Sequence, residues 1–118
     1  MNDDTKNNLA KFRAIANAMP KSPAIYKFTS FDGLDSYVGA TRNLRRRLSV
    51  HTYHFSSRRA TTKLLAAWDR GGFSIEILAK CSVEKLSERE GYYIKKLQPT
   101  LNVCICLFDI SKPSKSAA

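Results

Sequence analysis

The sequence predicts an α+β domain in which a small central antiparallel three-stranded sheet is flanked by helices, and three observations carry that expectation. Ala24–Thr29 and Ser36–Gly39 have the alternation and the β-branched and aromatic content of strands. Between them Ser30–Asp35 holds an Asp-Gly pair, a turn signal that folds the two into a hairpin. Phe73–Leu78 alternates cleanly and supplies a third strand, with Phe73, Ile75 and Ile77 inward. The segments around these strands carry apolar residues at helical spacing.

In chain order, the polar residues Met1–Asn8 are expected to fray. Leu9–Met19 places Leu9, Phe12, Ile15, Ala16 and Met19 on one face, which predicts a short amphipathic helix, ended by Pro20 and packed on the domain as a cap. In the first strand Ile25 and Lys27 share one face, and Ala24, Tyr26 and Phe28 the other. In the second, Tyr37 and Gly39 point together, so two phenols meet beside a side chain that is only hydrogen. Thr41 is a fair N-cap for the basic helix that follows. On that helix Leu44, Arg47, Leu48 and His51 form one stripe. Leucines at this spacing are core, so the arginine and the histidine are carried inward with them. Arg42, Arg45 and Arg46 lie off the stripe and stay solvated. Thr52–Arg59 reads as a polar, basic loop, and His54 within it as a surface residue. Thr61–Arg70 is the next helix, with Leu64, Leu65 and Trp68 as its apolar face and Gly71-Gly72 as its stop signal.

Val83–Leu97 is the last helix. Val83, Leu86, Tyr93, Ile94 and Leu97 form its stripe, and Glu90 falls in the middle of it, while Glu84 and Glu88 lie opposite. A carboxylate centred on an apolar stripe is costly unless it is paired or binds a metal. It is either a buried ion pair with Arg47 or a metal ligand; the company of two tyrosines, an arginine and a histidine favours the ligand. Asn102 lies just past this helix, placed to reach back toward the site or to fix a turn through its own side chain. Leu101–Phe108 is apolar enough for a short edge strand or a packed extended segment, and residues 109–118 read as a disordered tail.

A chain of 118 residues is one domain, large enough to bury a core without disulfides or a structural metal. Twenty Lys and Arg stand against ten Asp and Glu, a net charge of +10. The distribution matters more than the sum: from Ser36 to Trp68 there are seven basic residues and no acidic one. A run of one sign on an isolated helix is ordinarily a solvated face. Here it continues through two helices, which makes a phosphate backbone the expected partner. No amphipathic helix sets Trp or Phe opposite lysines, so a membrane surface is the weaker fit. Cys81, Cys104 and Cys106 build neither a disulfide framework nor a paired-cysteine zinc site. Without a signal peptide or a long apolar run, the chain is expected in the cytoplasm, the nucleoid or an organelle matrix, and not secreted.

In this order and at these spacings, Ala24-Ile25-Tyr26, Tyr37-Val38-Gly39, Arg47, Glu90 and Asn102 resemble the GIY-YIG nucleases. The resemblance covers roughly residues 22–108 and leaves 1–21 as an N-terminal extension. It implies an endonuclease that hydrolyses DNA phosphodiester bonds, one strand per active site, with magnesium or manganese held by Glu90. Tyr26 is then the general base, with its phenolate favoured by Arg47 and His51, and Tyr37 positions the water or the phosphate. Arg47 binds the scissile phosphate; Gly39, Arg42, Arg45, Arg46, Arg58, Arg59, Lys63 and Asn102 are the further substrate-binding candidates. The first motif opens on Ala24 where the family has glycine, Ala40 stands where many members have lysine or serine, and Arg59 lies where some homing members have a histidine. The expected partner is double-stranded DNA, with a homodimer or a separate DNA-reading domain supplying further specificity. The competing expectation is a non-cleaving DNA- or RNA-binding protein of the same fold, such as a ribonucleoprotein component.

Overall fold

The computed structural model describes residues 3–102. Its elements run α1 (Asp3–Asn17), β1 (Ala24–Ser30), β2 (Ser36–Thr41), α2 (Leu44–Ser56), α3 (Thr62–Asp69), β3 (Phe73–Lys80) and α4 (Leu86–Leu97), with a single 3₁₀ turn, Val83–Lys85, leading into α4. The sheet has the order β2-β1-β3 and is antiparallel throughout. Tyr26 lies opposite Gly39, and Phe28 opposite Tyr37. Against β3 the register slips at Tyr26, which pairs with Ile77, and leaves Leu78 as an extra residue. A bulge of this kind bends and twists its strand locally.

The two faces of β1 bury different company. Ala24, Tyr26 and Phe28 join Phe12, Leu44, Leu48, Phe55, Trp68 and Phe73 in the main core, beneath α1, α2 and α3. Ile25 and Val38 are also buried, on the other face, where α4 packs against β1 and β2. Both faces of β1 are therefore dry, which is why this central strand is apolar at consecutive positions near its start. Aromatic rings fill the main core: Phe55 stacks on Trp68 at 4.6 Å, and Phe12 meets Phe28, Phe55 and Trp68 edge-on at 5.4–5.5 Å. Such pairs add about 0.5–1.5 kcal/mol each beyond area burial.

Several boundaries differ from expectation for visible reasons. α1 begins at Asp3 rather than Leu9, so the polar stretch up to Asn8 is largely helical. Phe12 and Ala16 anchor it, Leu9 and Met19 pack beside them, and Ile15 is turned outward. Thr41 ends β2; the cap of α2 is Asn43, whose side chain accepts from the Arg46 backbone N–H at 3.1 Å. α2 also continues through most of Thr52–Arg59, because Thr52 and Phe55 extend its buried stripe by another turn. Polarity alone concealed that turn. The β1–β2 connection is tied on both sides: Ser30 Oγ donates to Asp32 at 2.7 Å, and Gly33 takes the positive φ of 76°. Arg70 reaches across from the end of α3 to Asp32 and Asp35; it holds the Asp32 carboxyl below the usual range, and the Thr100 hydroxyl together with Arg70 does the same for Asp35. The expected segment from Val103 to Phe108, with Cys104 and Cys106, and the tail beyond it lie outside the described residues.

Candidate active site

Four side chains named from the sequence converge beside β2. Tyr26 Oη lies 2.8 Å from His51 Nε2, a contact made by residues 25 apart in the chain. The Tyr26 and Tyr37 rings are 6.2 Å apart, and His51 sits 5.8 Å from each. Arg47, exposed as a residue, carries its positive charge close enough to both phenols to favour their ionised forms. This refines the expected inward arginine: its head reaches the phenols from the surface.

Gly39 explains how the pair fits. A β-carbon there would lie 2.4 Å from both Cζ and Oη of Tyr26, well inside contact distance. The space a side chain would fill is taken by the phenol of its cross-strand partner, and no room is left there for substrate. Gly39 thus gives Tyr26 its seat.

An open cleft of about 540 Å³ lies in front of this group, and its walls include Tyr37, Arg47, His51, Arg59, Glu90 and Asn102. Tyr26 is not on its wall; only 1% of that residue is exposed. Burial, with Tyr37 beside it, drives the Tyr26 phenol far above its ordinary pKa, and the opposing pull of Arg47 is too small to reverse this. The Tyr37 phenol is raised as well, again chiefly by burial. His51, 4% exposed, is pushed down to about 3 by burial and by the nearby charge of Arg47. The imidazole is therefore neutral, so it meets Tyr26 as a hydrogen-bonding partner and not as a cation. His54, read as a loop residue, is on α2 and also lines the cleft; its place one turn below Val50–His51 was visible only once the helix was extended.

Glu90 enters the cleft from α4. It forms no ion pair with Arg47: among the described residues no cation meets its carboxylate, and the backbone N–H of Ala40 is the group that eases its ionised form. Partial burial raises its pKa above the ordinary value. Asn102 resolves in favour of structure. Its amide accepts from Val38 N–H at 2.8 Å and donates to Val38 C=O at 2.7 Å, as a neighbouring strand would. Thr100 Oγ1 accepts from Ser36 N–H at 3.1 Å, and Leu101 N–H donates to Ser36 C=O at 2.8 Å. The outward amides at Ser36 and Val38 are thus satisfied by Thr100 and Asn102. The open edge of the sheet is sealed where the site needs a fixed β2.

The basic candidates divide. Arg58 makes a two-pronged pair with Asp69 at 2.6 and 2.8 Å, and Arg45 Nε donates to the Met19 carbonyl at 2.7 Å. Arg58 is thereby neutralised, whereas Arg45 is held in place by its Nε and keeps its charge. Lys63 reaches the Thr100 carbonyl at 3.3 Å. Arg42, Arg46 and Arg59 are exposed and have no carboxylate partner among the described residues.

A three-stranded antiparallel sheet whose edge gathers two phenols, a guanidinium, an imidazole and one lone carboxylate defines a small α+β catalytic domain. The chain belongs to the GIY-YIG family: the GIY-YIG catalytic domain matches residues 22–102. It is 29% identical over 101 residues to UvrABC system protein C of Rhodospirillum rubrum, which covers 86% of this chain and 15% of that protein. The match to UvrABC system protein C of Bartonella henselae is also 29%, over 87 residues and 13% of that protein. The chain therefore spans only a small part of the length of these curated relatives. Among solved structures it is similar to the catalytic domain of intron endonuclease I-TevI in a point-mutant form, at 25% identity and a TM-score of 0.58, covering 64% of this chain and 84% of that one. The fold is also that of the GIY-YIG N-terminal endonuclease domain of UvrC from Thermotoga maritima bound to magnesium: TM-score 0.57, 22% identity, 79% of this chain and 97% of that one.

Proposed function

We propose that this chain is a divalent-metal-dependent endonuclease domain that hydrolyses DNA phosphodiester bonds, one strand per active site. The observation that carries the reading is Glu90: a half-buried carboxylate without a cation, sharing one cleft with the Arg47 guanidinium. The donor set suits magnesium. Among the described residues no group of three or more His, Cys, Asp and Glu side chains could cage an ion, whereas Mg²⁺ retains several waters and needs only one or two protein carboxylates. Bound at Glu90, such an ion would supply Lewis-acid stabilisation of the charge that develops on the phosphate oxygens.

The protein groups account for the rest. Arg47 binds the scissile phosphate, with two parallel N–H donors matched to two oxygens. Tyr37, the phenol on the cleft wall, positions the attacking water. The Tyr37 ring stands 6.2 Å from that of Tyr26, whose hydroxyl lies 2.8 Å from His51 Nε2, so the proton released by the water would have a path through the two phenols to a neutral imidazole. A phosphate dianion or diester drawn to Arg47 offsets the charge that depresses His51, which makes that nitrogen a better acceptor when substrate is present. Tyr26 works as an enclosed link in this path rather than as a base open to solvent.

The test is nicking of supercoiled plasmid at low salt with Mg²⁺, with EDTA, and by Glu90→Gln, with gel shifts to show that the variant binds. Cutting that requires both Mg²⁺ and Glu90 supports the reading. Salt-sensitive binding without cutting, across several divalent ions, would instead leave a non-cleaving binder of the same fold.

A further inference from the structure

The free cations are not spread evenly. A second, smaller groove of about 230 Å³ opens on the other side of Arg47, walled by Thr41, Arg42, Asn43, Arg46, Arg47 and Val50. It holds three guanidinium-bearing residues and no carboxylate, and Arg42 and Arg46 have neither an ion pair nor a side-chain hydrogen bond among the described residues. Arg47 belongs to both hollows, so it is the shared wall between this groove and the cleft that contains Glu90. On the far side of that cleft stands Arg59, also unpaired. The remaining three cations of the same run are each engaged: Arg45 by the Met19 carbonyl, Arg58 by Asp69 and Lys63 by the Thr100 carbonyl. A charge run that looks uniform in sequence is therefore sorted by the fold: Asp69 neutralises Arg58, a backbone carbonyl holds Arg45 by its Nε, and Arg42, Arg46 and Arg59 are left without a partner among the described residues.

Resting on the nuclease reading, we infer that Arg42 and Arg46 form a second phosphate subsite, which seats a phosphodiester next to the scissile one on the same strand. The strand enters over the start of α2, crosses Arg47 at the point of chemistry, and leaves past Arg59. Guanidinium forks suit this task, because each can give paired N–H donors to one phosphate without reading a base. The subsite contributes affinity and register and takes no part in proton transfer.

Binding of the Glu90→Gln protein to a fluorescent oligonucleotide, single-stranded and duplex, measured across roughly 50 to 200 mM salt, separates the possibilities. Each of Arg42→Ala and Arg46→Ala is expected to lower the slope of log affinity against log salt by about 0.9 on duplex or 0.7 on a single strand. Arg58→Ala removes the same formal charge and should leave the slope unchanged, since Asp69 already neutralises it. Arg46→Lys should retain most of the slope. A methylphosphonate placed at successive linkages should weaken the parent at one position yet leave the Arg42→Ala/Arg46→Ala variant indifferent there. Equal losses from Arg58→Ala and Arg46→Ala would overturn the subsite and leave only a diffuse positive field, with the nuclease reading intact. Salt-insensitive binding by the parent would overturn both.

Discussion

Replacing Gly39 by alanine tests whether the position of the Tyr26 hydroxyl matters to the chemistry. The added methyl would sit 2.4 Å from Tyr26 Oη and Cζ, where ordinary contact needs at least 3.4 Å, so the phenol must retreat by about 1 Å. Retreat is obstructed: the ring is enclosed by Phe28, Tyr37 and His51, with centroids 5.3–6.2 Å away. A shift of that size stretches the 2.8 Å bond to His51 Nε2 beyond hydrogen-bond range. Overpacking costs about 1–3 kcal/mol, and the weakened buried hydrogen bond roughly another 1 kcal/mol. For a protein of this length that lowers Tm by roughly 10 °C. A displacement of about 1 Å at a reacting centre also costs about a hundredfold in rate. Thermal melts and single-turnover nicking measure the two effects separately. Gly91→Ala is the control: an alanine β-carbon there meets nothing within 4 Å on an exposed helix face, so that variant should gain about 0.5–1 kcal/mol. Gly39→Ala cutting within a few-fold of the parent, with an unchanged melt, would refute the claim that the Tyr26–His51 geometry is needed.

Three other outcomes are expected. His51 is held neutral, so the unfolded chain binds more protons than the folded one from about pH 6.5 down to its folded value of about 3; the stabilisation is full above 6.5 and is lost as pH falls through that window. Urea midpoints at about pH 7.5 and pH 5 should differ by up to about 2 kcal/mol from this residue, a difference that shrinks in His51→Gln. Glu90 has a raised pKa, so its ionised form opposes folding at neutral pH; Glu90→Gln should melt higher than the parent without metal, and Mg²⁺ should raise the melting temperature of the parent alone. Asn102→Ala removes both bonds to Val38 and should cost about 1–3 kcal/mol in denaturant titrations, with Asn102→Asp not restoring the loss because it lacks the donor to the Val38 carbonyl.

The strands, their faces and the composition of the site were legible in the sequence because their signals are local. Alternation at period two put Tyr26, Tyr37 and Gly39 on one face, and the helical stripe joined His51 and Arg47 to the leucines of α2. Glu90 stood out because a carboxylate centred on an apolar stripe contradicts its neighbours. Charge state, pairing and access depended on contacts between residues far apart in the chain, which no local pattern encodes. Arg58 carries the same charge as Arg42 and Arg46, yet Asp69 neutralises it and leaves the others without a carboxylate among the described residues. Tyr26 was recognisable as a site residue, but only the assembled core shows that it is enclosed behind Tyr37 and keeps its proton. Asn102 was placed near the site by its spacing, and the sheet edge decided that its amide belongs to Val38. Sequence determined which chemical groups gather at the edge of β2; tertiary structure decided which of them are buried, partnered or open to a ligand, because desolvation and hydrogen bonding act through space.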